Sequence, residues 1–248
     1  MSQLYLTKSD FKVAQECKTK LYYRKLNYPS TKDTNEYLQL LSEGGFMVGK
    51  MAQLMFTDGV EIEEKDLEKA IARTQELLKK DKVTIFEAAF LSNHKAIRVD
   101  ILVKNGFRID IIEVKAKSFD GELGNAQFWN SRHGKIKADW QPYLEDITFQ
   151  TIVLKELFPQ YQINSFLLMP DKSKVCKTDG LAKFFKVSKK GLNKSVSVEF
   201  IGDLEVVKNE DFLVKVEVNS EVDLLLNEVS ESANNFIEIL KDGLHKVQ

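Results

Sequence analysis

Two apolar runs rich in β-branched residues flank Asn105-Gly106 in Ile97-Arg98-Val99-Asp100-Ile101-Leu102-Val103-Lys104-Asn105-Gly106-Phe107-Arg108-Ile109-Asp110-Ile111-Ile112-Glu113-Val114-Lys115. Such runs around an Asn-Gly turn predict two antiparallel strands. Side chains alternate faces along a strand, so Glu113 and Lys115 share one face and Val114 takes the other. Asp100 interrupts the preceding apolar run. Charges within a sheet are costly unless they are paired or bind a metal. The pattern therefore has two readings. In one, Asp100, Glu113 and Lys115 form an ion-pair cluster at a sheet edge. In the other, Asp100 and Glu113 hold a hard divalent cation through oxygen. Lys115 then lies beside the ion, placed to stabilise developing phosphorane charge or to help orient and deprotonate an attacking water. That is the chemistry of phosphodiester hydrolysis.

Working outward, Val83 to Phe90 predicts a third antiparallel strand, joined to the pair across the turn signal Ser92-Asn93. The first third of the chain reads as largely helical. Thr7 and Asp10 resemble a capping box that opens a helix from about Lys8 to Lys25. Met47, Val48, Met51, Ala52 and Met55 recur at helical spacing after Gly44-Gly45. From Glu63 to Lys80 a stripe runs through Leu67, Ala70, Ile71, Thr74, Leu77 and Leu78. Lys117 to Trp140 has no clear period and reads as a long loop. Pro142 suits the first turn of a helix running to about Phe158, and Ile163 to Met169 is a strand closed by Pro170. Beyond Asp171, Val196 to Ile201, Leu204 to Val207 and Phe212 to Val218 read as short strands of a meander. A final helix follows Ser220, with Gly243 suited to its C-terminal cap.

Composition narrows the function classes. The 248 residues suffice for one large domain or a core with an appendage, and 43% hydrophobic with 29% charged residues argues against disorder. Lysine plus arginine is 36 and aspartate plus glutamate 37, a net charge of −1, so any surface for nucleic acid has to be local. Cys17 and Cys176 are too few for a disulfide framework, which points to a reducing compartment, the cytoplasm by default. The N-terminus lacks an apolar signal core, and no run approaches the roughly 18 apolar residues that span a bilayer. No Gly-rich phosphate loop, nucleophile elbow or cysteine-histidine pair is present, so ATPase, serine-hydrolase and cysteine-protease readings lack residues.

The order of a helical opening, three meandering strands, Asp in the second, Glu-x-Lys in the third, then a helix and a fourth strand resembles the PD-(D/E)XK nuclease superfamily. Leu6-Thr-Lys-Ser-Asp-Phe11, Cys17-Lys-Thr-Lys-Leu-Tyr-Tyr23, Gly45-Phe-Met-Val-Gly-Lys-Met-Ala52, Phe86-Glu-Ala-Ala-Phe90 and Glu113-Val-Lys115 are similar to the RecB-like branch. Within it they are especially similar to a poorly characterised bacterial family of predicted nucleases. The resemblance covers roughly residues 4 to 170 and rests on the combination of motifs. It implies an α/β, restriction-endonuclease-like fold, a mixed central sheet flanked by helices. It divides the chain into a nuclease core at 1–170 and a C-terminal α+β extension at 171–248, in a chain that ends near where the family continues into a further region.

The resemblance also implies roles. Asp100, Glu113 and Lys115 match the metal and catalytic positions, with Mg²⁺ or Mn²⁺ as cofactor and DNA as substrate in repair or defence. Glu87 adds a third carboxylate ligand or is a rim charge. Gln150 matches the glutamine of the helical motif after the catalytic lysine. Position 154, where that motif has tyrosine, is Leu154, and Tyr143 on nearly the same face packs or compensates. Gln53 lies near the stretch where the branch often has a histidine. His94, His133 and His245 lack spaced ligand partners and read as ordinary surface histidines. An iron–sulfur cluster needs about four thiolates, so none is expected here, and Cys17 reads as a small buried residue. Between Lys115 and Trp140, Lys117, Arg132, Lys135 and Lys137 interleave with Phe128, Trp129 and Trp140. This is a surface for backbone phosphate and stacked bases, or a solvated loop anchored by tryptophans. The rival to a metal-dependent deoxyribonuclease is a weak or inactive nucleic-acid-binding or scaffolding module on the same fold.

Overall fold

Tight turns set the register of the sheet. In the computed structural model, which describes residues 4–29, 36–130, 134–190 and 195–242, Asn93 and His94 both take left-handed backbone, with φ of 44° and 62°. Two such residues give the twist that a two-residue hairpin requires. Gly106, with φ of 58°, supplies the second turn.

The elements in chain order begin with β1 (Leu6–Thr7), α1 (Lys8–Glu16), α2 (Lys18–Lys25), α3 (Glu36–Leu54), β2 (Gly59–Glu61) and α4 (Leu67–Leu78). Then come the meander β3 (Lys82–Ser92), β4 (Lys95–Asn105) and β5 (Arg108–Val114), the small hairpin β6 (Trp129–Asn130) and β7 (Lys135–Ile136), α5 (Gln141–Leu157) and β8 (Gln162–Pro170). The chain closes with β9 (Phe185–Lys190), β10 (Ser195–Phe200), α6 (Leu204–Asn209), β11 (Leu213–Glu217) and α7 (Asn219–Asp242).

Seven strands form one mixed sheet in the order β11-β8-β5-β4-β3-β2, with β1 parallel to β4. β3, β4 and β5 are antiparallel neighbours, and β8 joins parallel to β5 after the crossover through α5. The protein is therefore an α/β structure with helices on both faces. On one face Phe11 of α1, Leu21 of α2, Ala70 of α4, Phe149 of α5 and Phe236 of α7 bury against the sheet. On the other, Met51 and Ala52 of α3, Val207 of α6 and Phe185 of β9 cover Phe86, Ile101, Ile112 and Phe166. α5 lies between the sheet and α7, so every residue from Asp146 to Leu154 is buried. Polar side chains on that helix must find partners inside.

Several expectations change. The helix expected over Lys8 to Lys25 is two helices, because Cys17 is extended (φ −166°, ψ 118°) and closes α1 with its N–H on Val13 O. Gly44-Gly45 lies within α3 rather than before it. Leu204 to Val207 is helical, not a strand; the Asp203 side chain accepts from Glu205 N and caps it. Lys117 to Trp140 holds a 3₁₀ turn and the β6–β7 hairpin, anchored by buried Phe119, Phe128 and Trp140. After residue 170, β11 extends the central sheet, and Val222, Leu225, Val229 and Phe236 of α7 join the same cluster as Phe11 and Phe149. Gly243 lies outside the described residues. Among the described residues no helix is long and apolar enough to cross a membrane.

Candidate active site

Three carboxylates stand in a row across three strands. Continuing the register Ile101↔Ile112 by one residue sets Asp100 against Glu113, and continuing Phe86↔Ile101 sets Glu87 against Asp100. Glu113 and Lys115 share a face, as strand alternation requires: Lys115 Nζ lies 2.5 Å from Glu113 Oε1. Asp100 Oδ2 accepts the Val114 N–H at 2.8 Å, which ties β4 to β5 beside Glu113. Asp110 in the same strand is, by contrast, an ordinary paired acid, held by Arg108 and Asn164.

Two helices complete the cluster. Thr7 and Asp10 form the reciprocal capping box, which fixes the first turn of α1 and with it Lys8. Lys8 Nζ lies 3.0 Å from both Glu113 oxygens and 3.7 Å from Asp100 Oδ1. From α5, Gln150 Nε2 donates to Glu113 Oε2 at 2.7 Å, and Asp146 Oδ2 accepts from Lys115 at 2.6 Å. Asp146 and Gln150 are one helical turn apart and so face the same way. Asp146 Oδ1 is buried without a hydrogen-bond partner.

The cluster is dense in both signs of charge. Glu87, Asp100, Glu113 and Asp146 meet the ammonium groups of Lys8 and Lys115, with Arg98 and Lys12 at the margins. Burial and the neighbouring Glu113 push the Asp100 carboxyl up to about 7. Burial likewise raises Glu87 and Asp146. Glu113 goes the other way: burial opposes its charge, but Lys115 and Lys8 outweigh that and hold it well below the usual carboxylate range. Both lysines are held above the ordinary lysine value, since Glu113 and its neighbours overcome the cost of burying them.

A cavity of about 260 Å³ opens on this cluster, walled by Tyr5, Thr7, Lys8, Glu87, Arg98 and Asp100. Glu87 has φ of 57°, an unfavourable backbone for a non-glycine residue, and such strain persists where the surroundings impose it. The donor set suits a hard divalent ion: oxygen ligands, and two carboxylates already converging on one ammonium. The fit rests on Asp100 and Glu113. Glu87 shares the cavity, yet among the described residues no three His, Cys, Asp or Glu side chains gather closely enough to form a metal cluster by themselves.

No family model and no curated protein matches the chain.

The remaining expected residues fall elsewhere. Leu154 is fully buried in the core, and Tyr143 packs against it beside Trp140. Gln53 pairs with Lys50 on α3, the helix of the opposite sheet face. His94 sits in the β3–β4 turn with Nδ1 3.0 Å from Leu4 O. Arg132, His133 and His245 lie outside the described residues. In the basic loop, Lys117 pairs with Asp139 and lies 4.5 Å from the Trp140 ring centre, and the Trp129 indole donates to Glu221. Lys135 and Lys137 are exposed. Cys17 and Cys176 are free thiols.

Two members of the cluster escaped the sequence reading. Lys8 is 105 positions from Glu113, and nothing local marks it. Asp146 had a signal: with Gln150 it places two polar groups one turn apart on a helix that is otherwise apolar on that side.

Proposed function

We propose that the chain is a metal-dependent phosphodiester hydrolase acting on DNA, with the restriction-endonuclease-like fold of the RecB-like PD-(D/E)XK nucleases. The observation that carries this is the convergence of Asp100 and Glu113, from adjacent strands, on one cationic point with the Lys115 ammonium on the same face. Asp100 and Glu113 would hold Mg²⁺ or Mn²⁺, with Glu87 adding negative charge from the cavity wall. A divalent ion bound there supplies a Lewis acid for a phosphoryl oxygen and lowers the pKa of water. Lys115, fixed between Glu113 and Asp146, would offset negative charge developing on the phosphoryl oxygens. Gln150 holds the Glu113 carboxylate in place and leaves the charge uncancelled.

A second reading has a specific observation behind it. The oxygens of Glu113 are already engaged by Lys8, Lys115 and Gln150, and the helix that follows has Leu154 in place of the usual tyrosine. On this reading the cluster is a self-neutralised ion network in a nucleic-acid-binding module that does not turn over.

Purified protein incubated with single- and double-stranded DNA separates the two. Mn²⁺-dependent cleavage that is lost in Lys115→Ala and Asp100→Asn supports the hydrolase. Binding without cleavage in the unaltered protein supports the module.

A further inference from the structure

The cavity that opens on the acids has two cations on its wall, Lys8 and Arg98, and they are held in different ways. The Lys8 ammonium lies against Glu113 and Asp100, so carboxylates already answer its charge. Lys115 is enclosed between Glu113 and Asp146 and does not form part of that wall.

Arg98 is held by neutral groups instead. Its Nη2 donates to Glu64 O at 2.7 Å and to Lys65 O at 3.3 Å. Among the described residues, Nε and Nη1 have no hydrogen-bond partner, and no carboxylate oxygen comes within 4.0 Å of the guanidinium. Glu87, on the same wall, feels its charge from farther off. Backbone carbonyls fix a guanidinium without cancelling its charge, whereas a carboxylate would cancel it.

The two carbonyls form a fixed bracket. Glu64 and Lys65 belong to the connection between β2 and α4, and both ends of that connection are tied down. Buried Ile62 donates its N–H to Phe86 O at 3.0 Å, and the Asp66 side chain caps α4 by accepting from Lys69 N. Arg98 itself stands in β4, two residues before Asp100. One of its three nitrogens braces the connection, and the other two remain for something that enters the cavity. Apolar Leu67 and Ile97 line the cavity as well, a surface suited to a sugar beside a phosphate.

We infer that Arg98 is a substrate-contacting residue whose free guanidinium nitrogens hold a phosphate oxygen of the strand in the cavity. The planar, permanently charged group matches phosphate in shape and sign. The inference rests on the hydrolase reading and adds to it the residue that positions the phosphate at the cavity wall.

The experiment uses the full chain with Mn²⁺ and thymidine 3′,5′-bisphosphate, which carries two phosphate groups and no diester bond to cleave. Isothermal titration shows binding to the unaltered protein. Arg98→Gln, whose amide can still donate to a backbone carbonyl but carries no charge, binds the nucleotide about tenfold or more weakly, as expected for a lost charged hydrogen bond. Mn²⁺ affinity measured without nucleotide is not lowered in this variant, since removing a cation does not weaken the hold on another. A residue that only braces the connection gives the opposite pattern: lower thermal stability, with the nucleotide affinity of the folded protein unchanged. Should the glutamine variant not fold, Arg98→Lys decides, because a point charge in place of the planar group weakens nucleotide binding severalfold and leaves Mn²⁺ binding as it was. Nucleotide affinity equal to that of the unaltered protein, a Mn²⁺ affinity that falls along with it, or no nucleotide binding by the unaltered protein overturns the inference. DNA cleavage by the unaltered protein is followed in parallel. Mn²⁺-dependent cleavage with nucleotide affinity indifferent to Arg98 removes the contact and leaves the hydrolase. Nucleotide affinity that depends on Arg98, with no cleavage by the unaltered protein, removes the hydrolase and leaves a phosphate site.

Discussion

Lys8 Nζ lies 3.0 Å from each carboxylate oxygen of Glu113, although 105 positions separate the two residues. A side-chain cation from the first turn of α1 thus stands where β4 and β5 bring Asp100 and Glu113 together. Its ammonium offsets both acids within the sheet and would compete with a metal ion for them.

Lys8→Met removes that ammonium and keeps much of its apolar length. Without metal, the loss of a buried charge partner lowers stability by about 3 kcal/mol. Mn²⁺ then stabilises the variant more than the unaltered protein, because the ion no longer competes with an ammonium. Urea denaturation with and without Mn²⁺ reads both effects. An equal metal response in the two proteins contradicts the competition.

Asp146→Asn tests how Lys115 is held. The amide can still accept from the ammonium, but one of its two anions is gone. The fold is expected to survive, since Asp146 Oδ1 already lacks a partner. The cleavage rate falls about tenfold or more. The alkaline limb of the pH profile also moves to lower pH, as Lys115 loses charge support. A rate and profile equal to those of the unaltered protein would show that Asp146 positions nothing.

Asp100 gives the metal-free protein a pH signature. Burial and Glu113 push its carboxyl up to about 7, against about 4 in an unfolded chain. The folded state therefore binds this proton more tightly, and the stability that Asp100 contributes is lost as pH rises from about 4 through about 7. Depressed Glu113 acts oppositely, its stabilising charge being lost only on acidification. Asp100→Asn isolates the first effect: in EDTA the variant gains on the unaltered protein across this window, by at most about 1.4 kcal/mol per pH unit, and the gap levels off above it. A gap that stays flat from pH 4 to 8 contradicts the assignment.

The meander and its acids were legible because their signals are local. Asn105-Gly106 and Ser92-Asn93 mark the turns, and strand alternation alone puts Glu113 and Lys115 on one face. Pro142 and the apolar spacing after it likewise placed α5 to within a residue. The break at Cys17 was not legible, since neither glycine nor proline marks it. The helix at Leu204 was misread because Val206 and Val207 favour strands, whereas the Asp203 cap decides. Lys8 joins the site only through the packing of α1, which no spacing in the sequence reveals.

Gly121 offers a test of the loop that follows β5. A side-chain carbon added there would lie 2.2 Å from Asp171 Oδ2, and the Gly121 N–H donates to Asp171 Oδ1. Gly121→Ala must displace that carboxylate and costs about 1–3 kcal/mol by thermal denaturation. Gly124→Ala meets open space but has φ of 53°, so it pays only the smaller strain of left-handed backbone, about 1 kcal/mol. Equal losses at the two positions contradict the close approach at Gly121.

Isothermal titration of Mn²⁺ into the unaltered protein and into Glu113→Gln measures, without reference to any substrate, whether Asp100 and Glu113 together bind one divalent cation. One Mn²⁺ bound by the former and none detectable by the latter is the predicted result. Equal binding by both proteins, or none by either, contradicts it.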